Sequence, residues 1–540
     1  MNDGWYITYQ LGCDSNGTYC KNSGCYDDIG KSTKICCCNN SDNCVDKDAS
    51  SPVVYDLTGI TVSSATAAYQ VEGGAFEDGR GASIWDIYVR KPNVIKNNDT
   101  GDDACKSYDY WQKDIVLLKA LGIKAYRFSI SWTRIFTDGT PATKNDKGIA
   151  YYDNLIDVLI NAGIEPVVTM YHWDLPQWLM DNGGWLNRET YMAFGDYCEF
   201  LFKQYGDRVK KWIPLNEPSS VIEFEYCGDT HADAEGDFKP HCAWTLYLAA
   251  RNLLLGHAEA WKRYQKFNGT AQGGGQLGIA LNGPWYFPGN PDDPNDQDAS
   301  VRAYDFGWGI FAEPLFGSGN WPESVFNRIQ ELSTQENRSI PRLAIFTNDE
   351  QKLLKGSAQF FGVNYYVAAM VKDIRDDLKQ NRWSYNQEDY DSGTTSWIRD
   401  SWIQTNASNG WIYYTPSGLR ALLNHINANY KDIPIIITEN GCMDSFNEDL
   451  EDVTRVHYLR GHLMASSQAK NVDNVNVIGH TVWSLMDNFE WLDGYTTKFG
   501  IHQVDFNDPE RKRTPKRSAK ELTNWVSDGK VPGFSPNSRY

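Results

Sequence analysis

The chain has 540 residues. A single hydrophobic core rarely serves more than roughly 250–300 residues, so this length predicts several domains or one large barrel with insertions. Hydrophobic residues make up 41% and charged residues 22%, which excludes the disordered and fibrous classes. The 51 basic and 70 acidic side chains give a net charge of −19. No basic stripe and no long apolar run is present, so we predict a neutral small-molecule ligand, and neither nucleic acid nor membrane as a partner.

Cysteines are concentrated at the start of the chain, where seven of the twelve lie within the first 44 residues. A segment this short cannot build its own core, so the density predicts a small disulfide-bonded module in an oxidising compartment. A zinc module is the alternative, but no histidine precedes His172 and no Cys-X-X-Cys pair is present. We interpret residues 1–50 as a Cys-rich segment with its linker, and residues 51–540 as one domain.

The expected compartment is extracellular. The first twenty residues lack the apolar stretch of a signal peptide, so such a peptide was either removed or never present. We expect the Cys-rich segment to dock a protein or polysaccharide partner, or to act as a stabilising cap. Six Asn-X-Ser/Thr acceptors are compatible with secretion, at Asn16, Asn39, Asn98, Asn268, Asn337 and Asn406.

Eight apolar or β-branched runs follow one another through the large domain, with amphipathic segments such as 108–121 and 151–162 between them. Parallel strands that are buried on both faces have such continuous runs, and eight of them alternating with helices predict an α/β fold, the (β/α)8 or TIM barrel. Periodicity alone leaves an open doubly wound sheet as the alternative. The runs are 59–62, 123–132, 164–171, 209–215, 277–281, 360–365, 433–438 and 475–485.

Polar and aromatic residues follow most of these runs. In a barrel these strand ends share one face, where active sites are built. Polar residues end strands in many proteins, but that does not explain two carboxylates, an imidazole, several amides and several indoles at one end. The residues are Gln70 and Glu72 after the first run, Arg127 within the second, His172 and Trp173 after the third, Asn216 and Glu217 after the fourth, Asn364 and Tyr366 after the sixth, Glu439 and Asn440 after the seventh, and Trp483 to Trp491 around the eighth.

Two of these residues, Glu217 and Glu439, each end an apolar run. A carboxylate pair on one rim indicates cleavage of a glycosidic bond, in which one group protonates the leaving oxygen and the other meets the anomeric carbon. Metal binding is the alternative use of such a pair. His172 has no second histidine in a ligand-spaced motif, so we predict no metal.

The motifs around these residues resemble those of the family 1 glycoside hydrolases, the β-glucosidase family, from about Thr58 to about Trp525. The resemblance implies an eight-fold barrel and hydrolysis of β-linked glycosides with retention of configuration. It assigns Glu217 as the acid/base and Glu439 as the nucleophile. The matching segments are 65–73, 126–132, 172–176, 216–218, 364–366, 438–441 and 483–491. The substrate-binding residues that it implies are Gln70, His172, Trp173, Asn216, Asn364, Trp483, Glu490 and Trp491.

Two supporting residues carry over with a physical rationale. We predict that Arg127 and Tyr366 donate to the Glu439 carboxylate and lower its pKa, and that this negative charge raises the pKa of Glu217. Each assignment has a purely structural alternative, such as an ordinary buried ion pair for Arg127. The corresponding alternatives are core packing for Trp483 and a buried, hydrogen-bonded imidazole for His172.

The loop after Glu217 contains Cys227 and Cys242, which we predict form a disulfide beside the entrance of the site. The main hypothesis is a secreted retaining β-glucosidase without a cofactor. Its expected substrates are cellobiose, short cello-oligosaccharides, and aryl or alkyl glucosides. The alternatives are a transglycosylating β-glycosidase and a barrel that binds sugar without catalysis, and hydrolysis of a chromogenic β-glucoside separates the last from the others.

Overall fold

The structure is a computed structural model that describes residues 24–27, 34–37, 54–228, 238–268, 273–405 and 410–534. Most of the predicted Cys-rich segment lies outside these residues, so its disulfides, its role and the domain boundary at residue 50 stay predictions. Within the segment, Gly24–Asp27 and Lys34–Cys37 pair as antiparallel strands. No helix among the described residues is long and apolar enough to cross a membrane.

A barrel of parallel strands forms the centre of the molecule, which confirms the predicted TIM barrel. Each strand pairs in parallel with the next, and the eighth pairs with the first. The fifth strand is interrupted at Gly278, and its two halves pair with the fourth and the sixth strands. The strands are Thr61–Ala65, Ala125–Ser129, Glu165–Tyr171, Lys211–Leu215, Gln276–Leu277 continued by Ile279–Asn282, Phe361–Asn364, Ile435–Asn440 and Val477–Trp483.

Gly278, at the interruption, packs closely against Phe360. A Cβ atom on this residue would lie 2.5 Å from the ring of Phe360, so a larger residue would clash with the adjacent strand. Phe360 belongs to a small apolar cluster separate from the main core, to which six strands or strand starts contribute. The cluster consists of Ala125, Val167, Ile213, Ala280, Phe360 and Ile436.

Helices cover the outside of the barrel and form the main core against it. The long helices after strands one to four and six to eight are Ser107–Leu121, Asp146–Asn161, Arg188–Tyr205, Cys242–Asn268, Pro416–Asn429, Val453–Asn471 and Arg517–Asp528. The connection after the fifth strand contains Pro294–Tyr304, Ile310–Phe316, Glu323–Gln335 and Asn348–Leu354. Shorter helices are Ala68–Val71, Ile84–Tyr88, Trp132–Ile135, Gln177–Asp181, Pro218–Ser220, Arg375–Asn381 and Gln387–Ser392.

Several features differ from the sequence prediction. The second long helix begins at Asp146. The predicted start was Tyr151, because the first turn of the helix is polar and shows no apolar periodicity. Gly148 in that turn passes so near Arg134 that a Cβ atom would lie 1.9 Å from the carbonyl oxygen of Arg134. Among the unpredicted features is a side sheet of three short strands, Trp285–Pro288, Ala368–Asp373 and Thr394–Trp397.

A buried ammonium group joins two of the loops at the C-terminal ends of the strands. Lys516 is 0% exposed and donates to both oxygens of Asp444 at 2.7 and 2.8 Å and to Asp487 at 2.8 Å. Asp444 follows the seventh strand and Asp487 follows the eighth. The loops after these two strands are therefore held together by one ion-pair cluster.

A disulfide joins Cys227 to Cys242, which is the first residue of the helix Cys242–Asn268. It fixes the return of the chain from the segment after the fourth strand onto the outer helix layer. The remaining cysteines among the described residues 54–534, namely Cys105, Cys198 and Cys442, are buried and free.

The start of the barrel domain lies on the face opposite the strand C-terminal ends. Val54–Asp56 pairs antiparallel with Lys530–Pro532, and Ser467 and Asn471 donate to the carbonyl oxygen of Asp56 at 2.6 and 2.9 Å. These two donors lie at the end of a helix that returns the chain to the N-terminal end of the eighth strand. The predicted Cys-rich segment therefore joins the barrel far from the predicted site.

We expect deletion of residues 1–52 to leave hydrolysis of a soluble aryl β-glucoside within about twofold of the full chain, because the barrel holds every predicted site residue. Deletion of residues 1–58 is the matched comparison, because it also removes the strand Val54–Asp56. We expect the longer deletion to lower Tm by several degrees. A normally folded 53–540 protein that loses most of its turnover would show that the Cys-rich segment forms part of the site.

We expect the double substitution Cys227→Ala and Cys242→Ala to destabilise the protein by about 3 kcal/mol, because the disulfide closes a loop with a separation of 15 residues. The measurement is Tm under non-reducing conditions, with Cys198→Ala as a control for loss of a buried free thiol. Peptide mapping of the native protein that found both Cys227 and Cys242 as free thiols would contradict the pairing.

Candidate active site

Most of the residues predicted at the strand ends come together in one cluster, whereas Glu72 pairs with Arg134 and accepts a hydrogen bond from Tyr152. Arg127 is 2% exposed, Glu439 is 3% exposed and Glu217 is 7% exposed. They lie on strand two, on strand seven and just after strand four. Charged groups this deeply buried are stable only when hydrogen-bonded or paired, so the contacts of each define the site.

Arg127 connects four parts of the barrel through its guanidinium group. Nη1 donates to Glu439 Oε1 at 2.7 Å and to the carbonyl oxygen of Thr438 at 2.9 Å. Nη2 donates to Asn216 Oδ1 at 2.6 Å, and Nε donates to Thr169 Oγ1 at 3.0 Å. The planar donors of arginine suit such a fixed arrangement, and they fix Glu439 relative to strands three and four.

Glu439 accepts a second hydrogen bond, from the Tyr366 hydroxyl to Oε2 at 2.7 Å. The contacts predicted for Arg127 and Tyr366 are therefore present, but the predicted fall in the pKa of Glu439 is wrong. Burial is the largest influence and raises the pKa above its ordinary value, although Arg127 and Tyr366 act in the opposite direction. Desolvation of a carboxylate in a closed site outweighs two good donors here.

Glu217 is held by two neutral donors. Asn364 Nδ2 donates to Oε1 at 2.7 Å, and the Ser220 hydroxyl donates to Oε2 at 2.9 Å. Burial raises the pKa of Glu217 to about 8, and the charge of Glu439 adds to this rise. The direction agrees with the prediction, but burial is the larger cause. Glu217 therefore carries a proton at neutral pH while it lies beside a second carboxyl group.

The backbone at Glu217 places its side chain at the rim. Its φ of 48° lies in the left-handed region, which is uncommon for a residue other than glycine. Its N–H donates to the carbonyl oxygen of Ala280 on strand five at 2.9 Å, and Pro218 begins a short helix immediately afterwards. The strand thus ends abruptly and turns the carboxyl group inward.

A second hydrogen-bonded group, Gln70 with Glu490, lies within electrostatic range of Glu439 and Glu217. Gln70 Nε2 donates to Glu490 Oε2 at 3.3 Å, to Asn488 Oδ1 at 3.0 Å and to the carbonyl oxygen of Phe489 at 2.9 Å. Burial, with Asp493 and Glu439, raises the pKa of Glu490 to about 8. A protonated Glu490 both donates and accepts hydrogen bonds, which suits adjacent hydroxyl groups of a neutral ligand.

Four aromatic side chains line the same region. The ring of His172 stacks against Trp483 at 5.7 Å between centroids and against Trp491 at 6.1 Å. Trp173 lies 4.8 Å from Trp491, and its indole N–H donates to the carbonyl oxygen of Asn216 at 3.2 Å. These faces provide flat apolar surface beside the polar groups.

His172 is neutral. Burial, together with the charge of Arg127, holds its pKa well below the ordinary value. Its Nε2 lies 3.2 Å from Asn216 Nδ2, so the imidazole accepts a hydrogen bond in this arrangement. The imidazole of His172 is buried and hydrogen-bonded, as the structural alternative predicts. This arrangement is also compatible with contact to a ligand.

Four residues of the cluster were not predicted: Thr169, Thr438, Ser220 and Asn282. Asn282 directly follows the fifth run, so the rule that identified the other strand ends also identifies this residue. Its Nδ2 donates to Ser220 Oγ at 2.9 Å. The two threonines lie inside apolar runs, where a β-branched residue gives no functional signal.

The cluster pairs a protonated carboxyl group, Glu217, with a second carboxyl group, Glu439, that is held by a cation. This is an arrangement for proton transfer and nucleophilic attack at one centre. In the described ranges between residues 54 and 534, no group of three or more His, Cys, Asp or Glu side chains is arranged to hold a metal ion.

Comparison with known proteins identifies the family of this chain. The sequence profile of glycosyl hydrolase family 1 matches residues 58–530. The cytosolic beta-glucosidase of Homo sapiens is 39% identical over 464 residues, which are 86% of this chain and 96% of that protein. The lactase/phlorizin hydrolase of Homo sapiens is 40% identical over 462 residues, or 86% of this chain, but the chain spans only 23% of that protein's length.

Solved structures give the same result. Aphid myrosinase superposes with a TM-score of 0.81 at 38% identity, over 87% of this chain and 98% of that one. A rice beta-glucosidase, Os3BGlu6, superposes with a TM-score of 0.80 at 35% identity, over 87% of this chain and 99% of the rice chain. On the profile match and these relatives, the chain belongs to glycosyl hydrolase family 1 and is a glycoside hydrolase.

Proposed function

We propose that this protein is a retaining β-glucosidase that removes terminal non-reducing β-D-glucosyl residues. The observation that carries the proposal is the contrast between its two buried carboxyl groups. Glu217 has two neutral donors and a pKa of about 8, whereas Glu439 is bonded to the Arg127 guanidinium. One group is suited to give a proton and the other to attack.

In the first step, Glu439 Oε attacks the anomeric carbon while Glu217 gives its proton to the glycosidic oxygen. The bond from the anomeric carbon to this oxygen breaks, the aglycone leaves as an alcohol, and a glycosyl ester forms on Glu439. Arg127 and Tyr366 hold the attacking carboxylate in one orientation. Glu217 is left ionised.

In the second step, ionised Glu217 takes a proton from water, whose oxygen attacks the anomeric carbon and displaces Glu439. The sugar leaves with its original configuration, and both carboxyl groups return to their starting protonation. The rise in the pKa of Glu217 caused by Glu439 disappears while Glu439 is esterified, because the neighbouring charge is then gone. The same residue can therefore act as acid and then as base.

The proposed substrates are cellobiose, short cello-oligosaccharides, and aryl or alkyl glucosides. We expect the buried Gln70 and the half-buried Glu490 to provide hydrogen-bonding groups for sugar hydroxyls, and the indole of Trp483 to provide an apolar surface. A site that hydrogen-bonds hydroxyl groups in this way rejects sugars that leave its polar groups unpaired. The alternative of transglycosylation needs the same residues with a sugar as the acceptor.

We also propose that the protein is secreted. The Cys227–Cys242 disulfide favours an oxidising compartment, and two of the predicted glycosylation acceptors, Asn98 and Asn337, are exposed. One relative is a cytosolic beta-glucosidase, so mass spectrometry of the native protein is the appropriate test. Glycan attached to Asn98 or Asn337 would support secretion, and unmodified asparagines with free Cys227 and Cys242 thiols would contradict it.

We expect Glu439→Ala to abolish hydrolysis of 4-nitrophenyl β-glucoside, because no nucleophile remains. We expect Glu217→Ala to slow cellobiose hydrolysis by at least about 100-fold but to affect dinitrophenyl β-glucoside much less, because that leaving group needs little protonation. Added azide is expected to restore turnover of Glu217→Ala as β-glucosyl azide. Proton NMR of the wild-type reaction that showed the α-anomer of glucose first would contradict retention.

We expect a bell-shaped dependence of kcat/KM on pH. Glu217 must be protonated, so activity is expected to fall as pH rises through about 8, the pKa of Glu217. Glu439 must be ionised, so activity is expected to fall on the acidic side at a pH above the ordinary pKa of a glutamate, because burial raises the pKa of Glu439. The two limbs report the apparent pKa values of the coupled pair Glu217 and Glu439. A profile that was flat between pH 5 and 9 would exclude this assignment.

We expect Glu490→Ser to change recognition of the sugar more than folding. The ratio of kcat/KM for glucoside over galactoside should change by at least about tenfold, or ~1.4 kcal/mol, because Glu490 supplies hydrogen bonds to sugar hydroxyls. Glu510→Ser, which removes a carboxylate that is 67% exposed, is the matched control and should leave the ratio unchanged. An unchanged ratio in Glu490→Ser would place Glu490 outside the sugar site.

A further inference from the structure

The hydrogen bonds to Glu217 continue into a short chain of two side chains. Asn282 Nδ2 donates to Ser220 Oγ at 2.9 Å, and the Ser220 hydroxyl donates to Glu217 Oε2 at 2.9 Å. Ser220 is 4% exposed and lies three residues after Glu217, at the end of the helix Pro218–Ser220. Asn282 is the last residue of the fifth strand.

The direction of these two hydrogen bonds follows from the donor and acceptor atoms of the side chains. The hydrogen bond that Ser220 accepts from Asn282 leaves the hydroxyl hydrogen free to point at Glu217. Asn282 Oδ1 is buried without a partner among the described residues, so within them the amide is held by its bond to Ser220. The neighbouring Ser219 points elsewhere, because its hydroxyl donates to the carbonyl oxygen of Gly307 at 3.0 Å.

A donor to a carboxyl oxygen stabilises the ionised form more than the protonated form. Burial and Glu439 favour the protonated form of Glu217, whereas Ser220 and Asn364 oppose them. The charged or titratable groups that face Glu217 from other elements are Arg127, Tyr366, Glu439 and Glu490. Substitution of Ser220 changes none of these.

We propose that Ser220, oriented by Asn282, is a positioning residue that sets the balance between proton release and proton uptake at Glu217. The proposal rests on the proposed function, in which Glu217 gives a proton in the first step and takes one in the second. Without the Ser220 hydroxyl, Glu217 holds its proton more firmly and one carboxyl oxygen loses its fixed orientation. The reaction then needs a higher pH before Glu217 ionises.

The experiment measures kcat/KM for an alkyl β-glucoside from pH 5 to pH 10 in the wild type, Ser220→Ala, Ser220→Thr and the control Ser219→Ala. We expect the basic limb of Ser220→Ala to move upward by about 0.5 to 1 pH unit, the effect of one neutral hydrogen bond. Ser220→Thr keeps a hydroxyl and should restore the wild-type limb, and Ser219→Ala should match the wild type. Tm of each variant establishes that it is folded.

Asn282 is tested by a double-mutant cycle. We expect Asn282→Ala to move the limb in the same direction by a smaller amount, and Asn282→Ala with Ser220→Ala to move it no further than Ser220→Ala alone. Additive shifts would show that Asn282 does not act through Ser220 and would overturn its part of the proposal.

The outcomes separate this inference from the proposed function. An active wild type with the same basic limb in Ser220→Ala, or an equal shift in Ser219→Ala, would overturn the role of Ser220 while the proposed function stands. A wild type that hydrolyses no β-glycoside over this pH range would overturn the proposed function and this inference with it. If Ser220→Ala does not fold, Asn282→Ala provides the test. An upward shift of its basic limb would support the proposed role of Ser220 and Asn282, and an unchanged basic limb would overturn it.

Discussion

The site depends on one buried cation, the guanidinium group of Arg127. Its donors reach Thr169, Asn216, Thr438 and Glu439, so it fixes residues of three further parts of the barrel wall around itself. Burial of this charge is costly unless the surrounding oxygens compensate it. The orientation of Glu439, the proposed nucleophile, is consequently set by the same hydrogen bonds that compensate the charge of Arg127.

The layer that holds Arg127 follows from the two-residue repeat of the strands. Ala125, Val167 and Ile436 belong to the apolar cluster of the barrel, and the residues two positions later are Arg127, Thr169 and Thr438. Side chains two apart lie on the same face of a strand. The barrel interior therefore changes from an apolar layer to a polar layer within one repeat, and the apolar layer closes the site from below.

The sequence predicts the barrel and most of the rim for the same reason, since both are properties of single strands. A buried strand has a continuous apolar run, and a strand end such as Asn216 or Glu439 is visible where the run stops. The hydrogen bonds that join Ser220 to Asn282 and Lys516 to Asp444 link residues far apart along the chain, and they are not visible in this way. Nothing periodic marks a serine or lysine whose partner lies on another loop, and the balance of burial against Arg127 at Glu439 depends on solvent exclusion that only the folded chain reveals.

The antiparallel pairing of Val54–Asp56 with Lys530–Pro532 brings the two ends of the barrel domain together. Residues paired in this way lie about 5 Å apart, and in this register Val54 is opposite Pro532. A linker of a few residues can thus join the ends without crossing the site, and the chain can be opened elsewhere on the outer surface. Because these two strands lie side by side, the described barrel is a suitable scaffold for circular permutation.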